Sequence, residues 1–164
     1  LSPAMSIFLS QKPEFLQLLG FKDYWFDEPT QIYHCTFEPS VALTHSNGTI
    51  VQGGFIAGML DSVMAQYVLH VHDFTVNPLT LNLDITYLLS CRPAPVELRA
   101  KVLKMGRSIA FTSAEMFQDD TLIATASATN KLVKIKIALK KSSIILGALW
   151  GHPSRKIQRG ECNH

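Results

Sequence analysis

Two features of the sequence, eight residues apart, could act together on one carbonyl group: the run Gln52-Gly53-Gly54 and the carboxylate of Asp61. The run opens an apolar stretch that reaches about Val71, and Asp61 is the acidic residue within it. The first N–H groups of a helix have no intrahelical acceptor and sit at the positive end of its dipole. Gly53 and Gly54 would therefore offer bare donors to a carbonyl turning into an oxyanion. A carboxylate in an apolar helix is unfavourable by several kcal/mol unless it finds partners, faces a cavity or serves chemistry. Its helical neighbours Gly54, Ala57, Gly58 and Ala65 form a stripe of small residues on which another body can lie close. A purely structural Asp61, paired with Ser62, Gln66, Thr80 or Asn82, is the alternative.

At 1.5 Å rise per residue, Gly53 and Asp61 lie about 12 Å apart along one helix, too far to touch one reacting carbon. If both act on the same carbonyl, one must come from a two-fold mate, so an isologous homodimer is expected as the minimum active unit. Other chemistry-bearing residues fit less well. His70 and His72, two apart, do not share a helical face and lack a third ligand, so no metal is expected. There is no GxSxG elbow for a serine nucleophile and no phosphate-binding or dinucleotide fingerprint. Cys35 and Cys91 read as packed thiols, and Asp84, on the polar phase of its strand, as a surface carboxylate.

Positioning these groups falls to elements that the periodicity outlines. Lys12 to Gly20 reads as a short amphipathic helix with Pro near its start and Gly at its end, and Ile32 to Pro39 as a weak strand. Ser40 to Gly53 is rich in turn-formers. From Gly54 to Val71 the chain is apolar nearly all round, as an enclosed helix must be. Four alternating segments follow, at about 79–89, 96–105, 108–118 and 121–133, the last three joined by connectors short enough for hairpins. Strand, long helix, then a run of antiparallel strands gives an α+β fold: a curved sheet of about five or six strands wrapped around one helix.

The bulk properties agree with one domain of this kind. The chain has 164 residues, 47% hydrophobic and 17% charged. Residues 1–130 hold seven Lys/Arg against twelve Asp/Glu, a net −5, whereas 131–164 hold eight against Glu161 alone, a net +7. An acidic body argues against a nucleic-acid partner, and the basic extension 134–164 reads as a solvated, partly unstructured appendage outside a domain of 1–133. Three widely spaced cysteines, Cys35, Cys91 and Cys162, form no disulfide framework, and Leu1 to Ser10 lacks a basic leader, so a cytoplasmic protein with neither membrane span nor membrane partner is expected.

Gln52-Gly53-Gly54-Phe55 with Met59-Leu60-Asp61 resembles the helix signature of the phenylacetate-pathway (PaaI-like) branch of hotdog-fold thioesterases. Pro78 to Tyr87, Arg92-Pro93-Ala94 and Met105-Gly106-Arg107-Ser108 are similar to that family's later strands and turns, so the resemblance covers roughly residues 40–133. It implies a hotdog fold and hydrolysis of acyl-CoA thioesters at sites shared across a homodimer, with pairs of dimers also common. It further implies that the Gly53 backbone donates to the oxyanion and that Gln52 orients the thioester carbonyl. Asp61 would be general base or nucleophile, and the Thr80 hydroxyl would place the attacking water. The family's Asn, six residues before Gln52, is here Ser46, with Asn47 one place off; either is a candidate carbonyl-facing contact. Gly106 lies in the family's turn, and Arg92 and Arg107, near strand ends, are candidates for the CoA phosphates. No cofactor is implied. Two rivals use the same pocket: an acyl-CoA sensor without catalysis, and a hotdog dehydratase, for which Gln52 stands where a His is wanted.

Overall fold

The computed structural model describes Pro3 and residues 13–135. The order is α1 (Glu14–Leu19), β1 (Phe21–Asp27), β2 (Ile32–Phe37), a 3-10 turn (Val41–Leu43), β3 (Thr44–His45), β4 (Ile50–Val51), α2 (Gly53–Val71), β5 (Val76–Tyr87), β6 (Val96–Met105), β7 (Ile109–Gln118) and β8 (Thr121–Lys134). The long strands form a six-stranded antiparallel sheet in the order β1-β2-β6-β7-β8-β5, and β3-β4 is a separate hairpin. The expected α+β architecture, a curved sheet around one long helix, is therefore the one found.

The helix is enclosed for the reason its composition suggests. Alternate residues of β6, β7 and β8, among them Leu98, Ala100, Ala114, Met116, Ala126 and Ala128, face Met59, Leu60, Val63 and Met64 of α2. Alanines on the strands leave room for the larger side chains of the helix. By length and hydropathy α2 could cross a membrane, but here it is the core helix of a wrapped sheet. On its β2 side, Gln66 Oε1 accepts from Tyr33 Oη at 3.0 Å and from the Cys35 thiol at 3.2 Å, while its Nε2 donates to Ser62 Oγ at 3.2 Å. That buried network fixes the rotation of the helix against the sheet.

The elements foreseen from the pattern are present with shifted ends. The helix at Lys12 to Gly20 is α1, closed by left-handed Gly20, where an added Cβ would lie 2.1 Å from the Glu38 carbonyl oxygen. The segment expected at 79–89 starts earlier, at Val76, and ends at Tyr87; Leu88 and Leu89 both donate to the Ile123 carbonyl instead of extending the ladder. β1 and the β3-β4 hairpin were not foreseen. The sequence of β1, FKDYWFD, has no period of two because it is an edge strand whose bulge at Lys22 shifts the phase. The extension 134–164 lies almost entirely outside the described residues.

Candidate active site

The start of α2 is held from three directions. Gln52 N–H donates to the Leu43 carbonyl at 2.9 Å, and Val51 N–H to the Cys91 carbonyl at 2.8 Å, which joins the hairpin and the loop after β5 around the helix terminus. Gln52 is the N-cap: its side-chain Oε1 accepts from Gly54 N–H at 2.7 Å. Its main-chain carbonyl accepts from Phe55 and Ile56, at 3.0 and 3.4 Å. The expectation of two bare donors therefore narrows to one. Gly54 N–H is capped, and Gly53 N–H alone has no hydrogen-bond partner among the described residues. Capping Gly54 with Oε1 also leaves the Gln52 Nε2 hydrogens as further donors.

Beside Gly53 opens a cavity of about 320 Å³, walled by His45, Val51, Ile56, Tyr87, Leu88 and Cys91. Tyr87, which no sequence motif singles out, closes one side: its hydroxyl donates to the Gly53 carbonyl at 2.7 Å. The signal was available, since Leu83, Ile85 and Tyr87 share the inward phase of β5 and a tyrosine ending such a series stands against the helix start. The Cys91 thiol is buried, and burial pushes it up to about 11 against the opposing pull of Arg92, so at neutral pH it stays protonated.

Asp61 is half-buried on α2, and Thr80 Oγ1 of β5 donates to its Oδ1 at 2.7 Å. Burial raises the carboxyl above the ordinary range, and the Thr80 hydrogen bond lowers it part of the way back. No cation pairs with Asp61 among the described residues. Thr80 reaches it because β5 is bulged between Thr80 and Asn82, which turns Leu81 outward. Of the small-residue stripe, Gly58 is covered by Leu19 of α1 and Ala65 is buried, so the open part lies around Gly54 and Ala57.

The other candidates separate. Ser46 and Asn47 form the tip of the β3-β4 hairpin, both in left-handed conformation, and Ser46 Oγ bonds to His45 Nδ1 at 2.7 Å; neither lines the cavity. Arg92 stands at the Gly53 end with its guanidinium engaged by Asp119. Gly106 and Arg107 lie at the opposite end of the sheet, in the β6-β7 turn. Gly106 is required by that turn, because a Cβ there would lie 2.7 Å from the Ile109 carbonyl oxygen. His70 packs its ring on Phe26, whereas His72 Nδ1 meets the Val68 carbonyl.

Residues 42–131 match the family described as acyl-CoA thioesterase N-terminal domain. Among solved structures, the chain is similar to a phenylacetic acid degradation-related protein of Ralstonia eutropha, with 27% identity over 79% of this chain and 99% of that one, at a TM-score of 0.70. A variant of the phenylacetic acid degradation protein PaaI of Thermus thermophilus shares the fold at 20% identity, covering 74% and 99%, with a TM-score of 0.63. So does a thioesterase of Haemophilus influenzae, at 13% identity over 81% and 92%, with a TM-score of 0.71. No curated protein sequence matches. The family match takes in more than half of the chain, including the whole of α2, β5, β6 and β7 and most of β8, and on that ground the chain belongs to the hotdog-fold acyl-CoA thioesterases.

Proposed function

We propose that this thioesterase hydrolyses acyl-CoA between two subunits, with Gly53 N–H of one and Asp61 of the other meeting on one thioester. The observation that carries the reading is the state of Asp61: a half-buried carboxylate with a hydroxyl for a partner, no cation beside it, and a raised pKa. Such a group is suited to take a proton. A water held near Asp61 and Thr80 attacks the carbonyl carbon as Asp61 accepts its proton. The oxygen of the tetrahedral intermediate is met by Gly53 N–H and Gln52 Nε2–H. As the carbon–sulfur bond breaks, the CoA sulfur takes the proton back from Asp61, leaving a free acid.

The sheet edges support one pairing of subunits. β1 is short, bulged and charged at Lys22 and Asp23, as protected edges are. β5 runs twelve residues and presents Leu79 and Leu81, 44% and 59% exposed, on an edge that no strand of its own sheet covers. Antiparallel pairing of β5 with its two-fold copy sets the Gly53 end of one protomer beside the opposite end of its mate. Arg107, together with exposed Lys104 and Lys131, would then reach the CoA phosphates of a thioester held at the partner's Gly53. Arg92, already engaged by Asp119, is the weaker choice.

Subunit complementation tests this reading. Gly53→Pro removes the donor while suiting the first helical position, since Gln52 is extended at φ −65 and ψ 135; the Tyr87 ring must yield by a few tenths of an ångström. Gly53→Pro and Asp61→Asn should each be inactive alone. Coexpressed, they should regain roughly a quarter of native turnover, because half the dimers are mixed and each mixed dimer holds one intact site. Complete failure to complement, with both chains folded and paired, contradicts a shared site.

A further inference from the structure

We infer that Tyr87 is a positioning residue that sets the direction of the Gln52 side-chain donor at the start of α2; the inference rests on the reading of Gln52 as a group that meets the thioester oxygen. The peptide group between Gly53 and Gly54 is gripped at both poles. Its carbonyl accepts from Tyr87 Oη at 2.7 Å, and its N–H donates to Gln52 Oε1, also at 2.7 Å. Both glycines leave room for that grip: a Cβ on Gly53 would lie 3.2 Å from the Tyr87 ring and press it back by a few tenths of an ångström, and one on Gly54 would lie 2.8 Å from Gln52 Oε1 and displace the cap.

Two adjacent glycines at a helix terminus are the freest backbone in the element, yet an oxyanion donor must be aimed before the reaction begins. Tyr87 supplies the missing constraint from another element, the last residue of β5. It also completes a line of hydrogen bonds, from the Tyr87 hydroxyl through the peptide group to the Gln52 side-chain amide. Each bond in such a line polarises the next. Withdrawing electron density from Gln52 Oε1 makes Nε2–H a better donor, and holding Oε1 inward keeps Nε2 turned away from the helix. Removing one hydroxyl should thus weaken the Gln52 Nε2–H donor although Tyr87 does not touch it.

The test is Tyr87→Phe, which keeps the ring against Gly53. Because oxyanion donors act in the transition state, kcat should fall on the order of tenfold with KM within about twofold. The pH at which Asp61 titrates in the rate profile should not move. A structural role alone would instead lower the thermal midpoint, shift that pH or raise KM. A folded Tyr87→Phe enzyme with native kcat, or with only KM changed, overturns the inference. Amide hydrogen exchange on the native chain gives a second reading that needs no variant: Gly54 N–H should be protected relative to Gly53 N–H, and equal, rapid exchange at both sinks the clamp. An Asp61→Asn chain that retains native turnover defeats the proposed mechanism itself. Loss in Asp61→Asn with full activity in Tyr87→Phe defeats only the assignment of Tyr87.

Discussion

Burial lifts the Asp61 carboxyl and the Thr80 hydroxyl partly offsets the lift, so the pH at which Asp61 titrates should depend on Thr80. Thr80→Ala removes the offset; the acid limb of kcat/KM should move to higher pH and the plateau should fall, as a pH–rate profile would read. The sign for stability runs the other way from that of an ion pair. With the folded pKa above the unfolded one, Asp61 carries no penalty below the unfolded value; stability falls as pH rises between the two, and the loss is complete above the folded value. Asp61→Asn should therefore lower turnover by about 10²–10⁴-fold while raising the thermal midpoint at neutral pH, checked by calorimetry beside the assay. One turnover in ¹⁸O-water then tests for direct attack by Asp61. Proton abstraction requires all of the label in the released acid, whereas label in Asp61 marks direct attack, through a mixed anhydride opened by water at its aspartyl carbonyl. At this scale the sequence disclosed the costly acid, the glycines and the strand hydroxyl. It could not disclose that Gln52 uses its oxygen on Gly54, since spacing does not fix a rotamer.

Among elements, the enclosed helix was the most legible, because nineteen residues with an apolar circumference can be hidden from water in few ways. Strands β6, β7 and β8 were legible because one face is buried and the other wet. β1 was not, since a bulge breaks its phase, and the true extent of β5 was blurred by Pro78 and the outward turn at Leu81. The rotation of α2, which decides where Asp61 points, depends on Gln66. Gln66→Met fills similar volume but strips the buried Tyr33 hydroxyl of its acceptor, and should cost about 1–3 kcal/mol in denaturant unfolding. A variant as stable as the native chain would mean the helix is registered by packing alone.

For the whole molecule, charge is distributed by end. Lys22, Arg92 and Arg99 each have a carboxylate partner, whereas Lys101, Lys104, Arg107, Lys131 and Lys134 have none among the described residues and gather toward the β6-β7 turn and the close of β8. Sequence showed a basic tail but not this grouping, because only strand pairing brings Lys104 and Lys131 to the same end. If these cations meet the CoA phosphates, KM for acyl-CoA should rise with ionic strength. KM for a short thioester lacking the nucleotide should not. The open edge of β5 has a consequence for handling the protein. A protomer released by dilution from the proposed dimer would carry a long ribbon of unanswered amides beside two exposed leucines, a template onto which any extended chain can add. Loss of activity in dilute stocks should therefore not be reversed by reconcentration, because separated protomers stick to wrong neighbours before they find each other again.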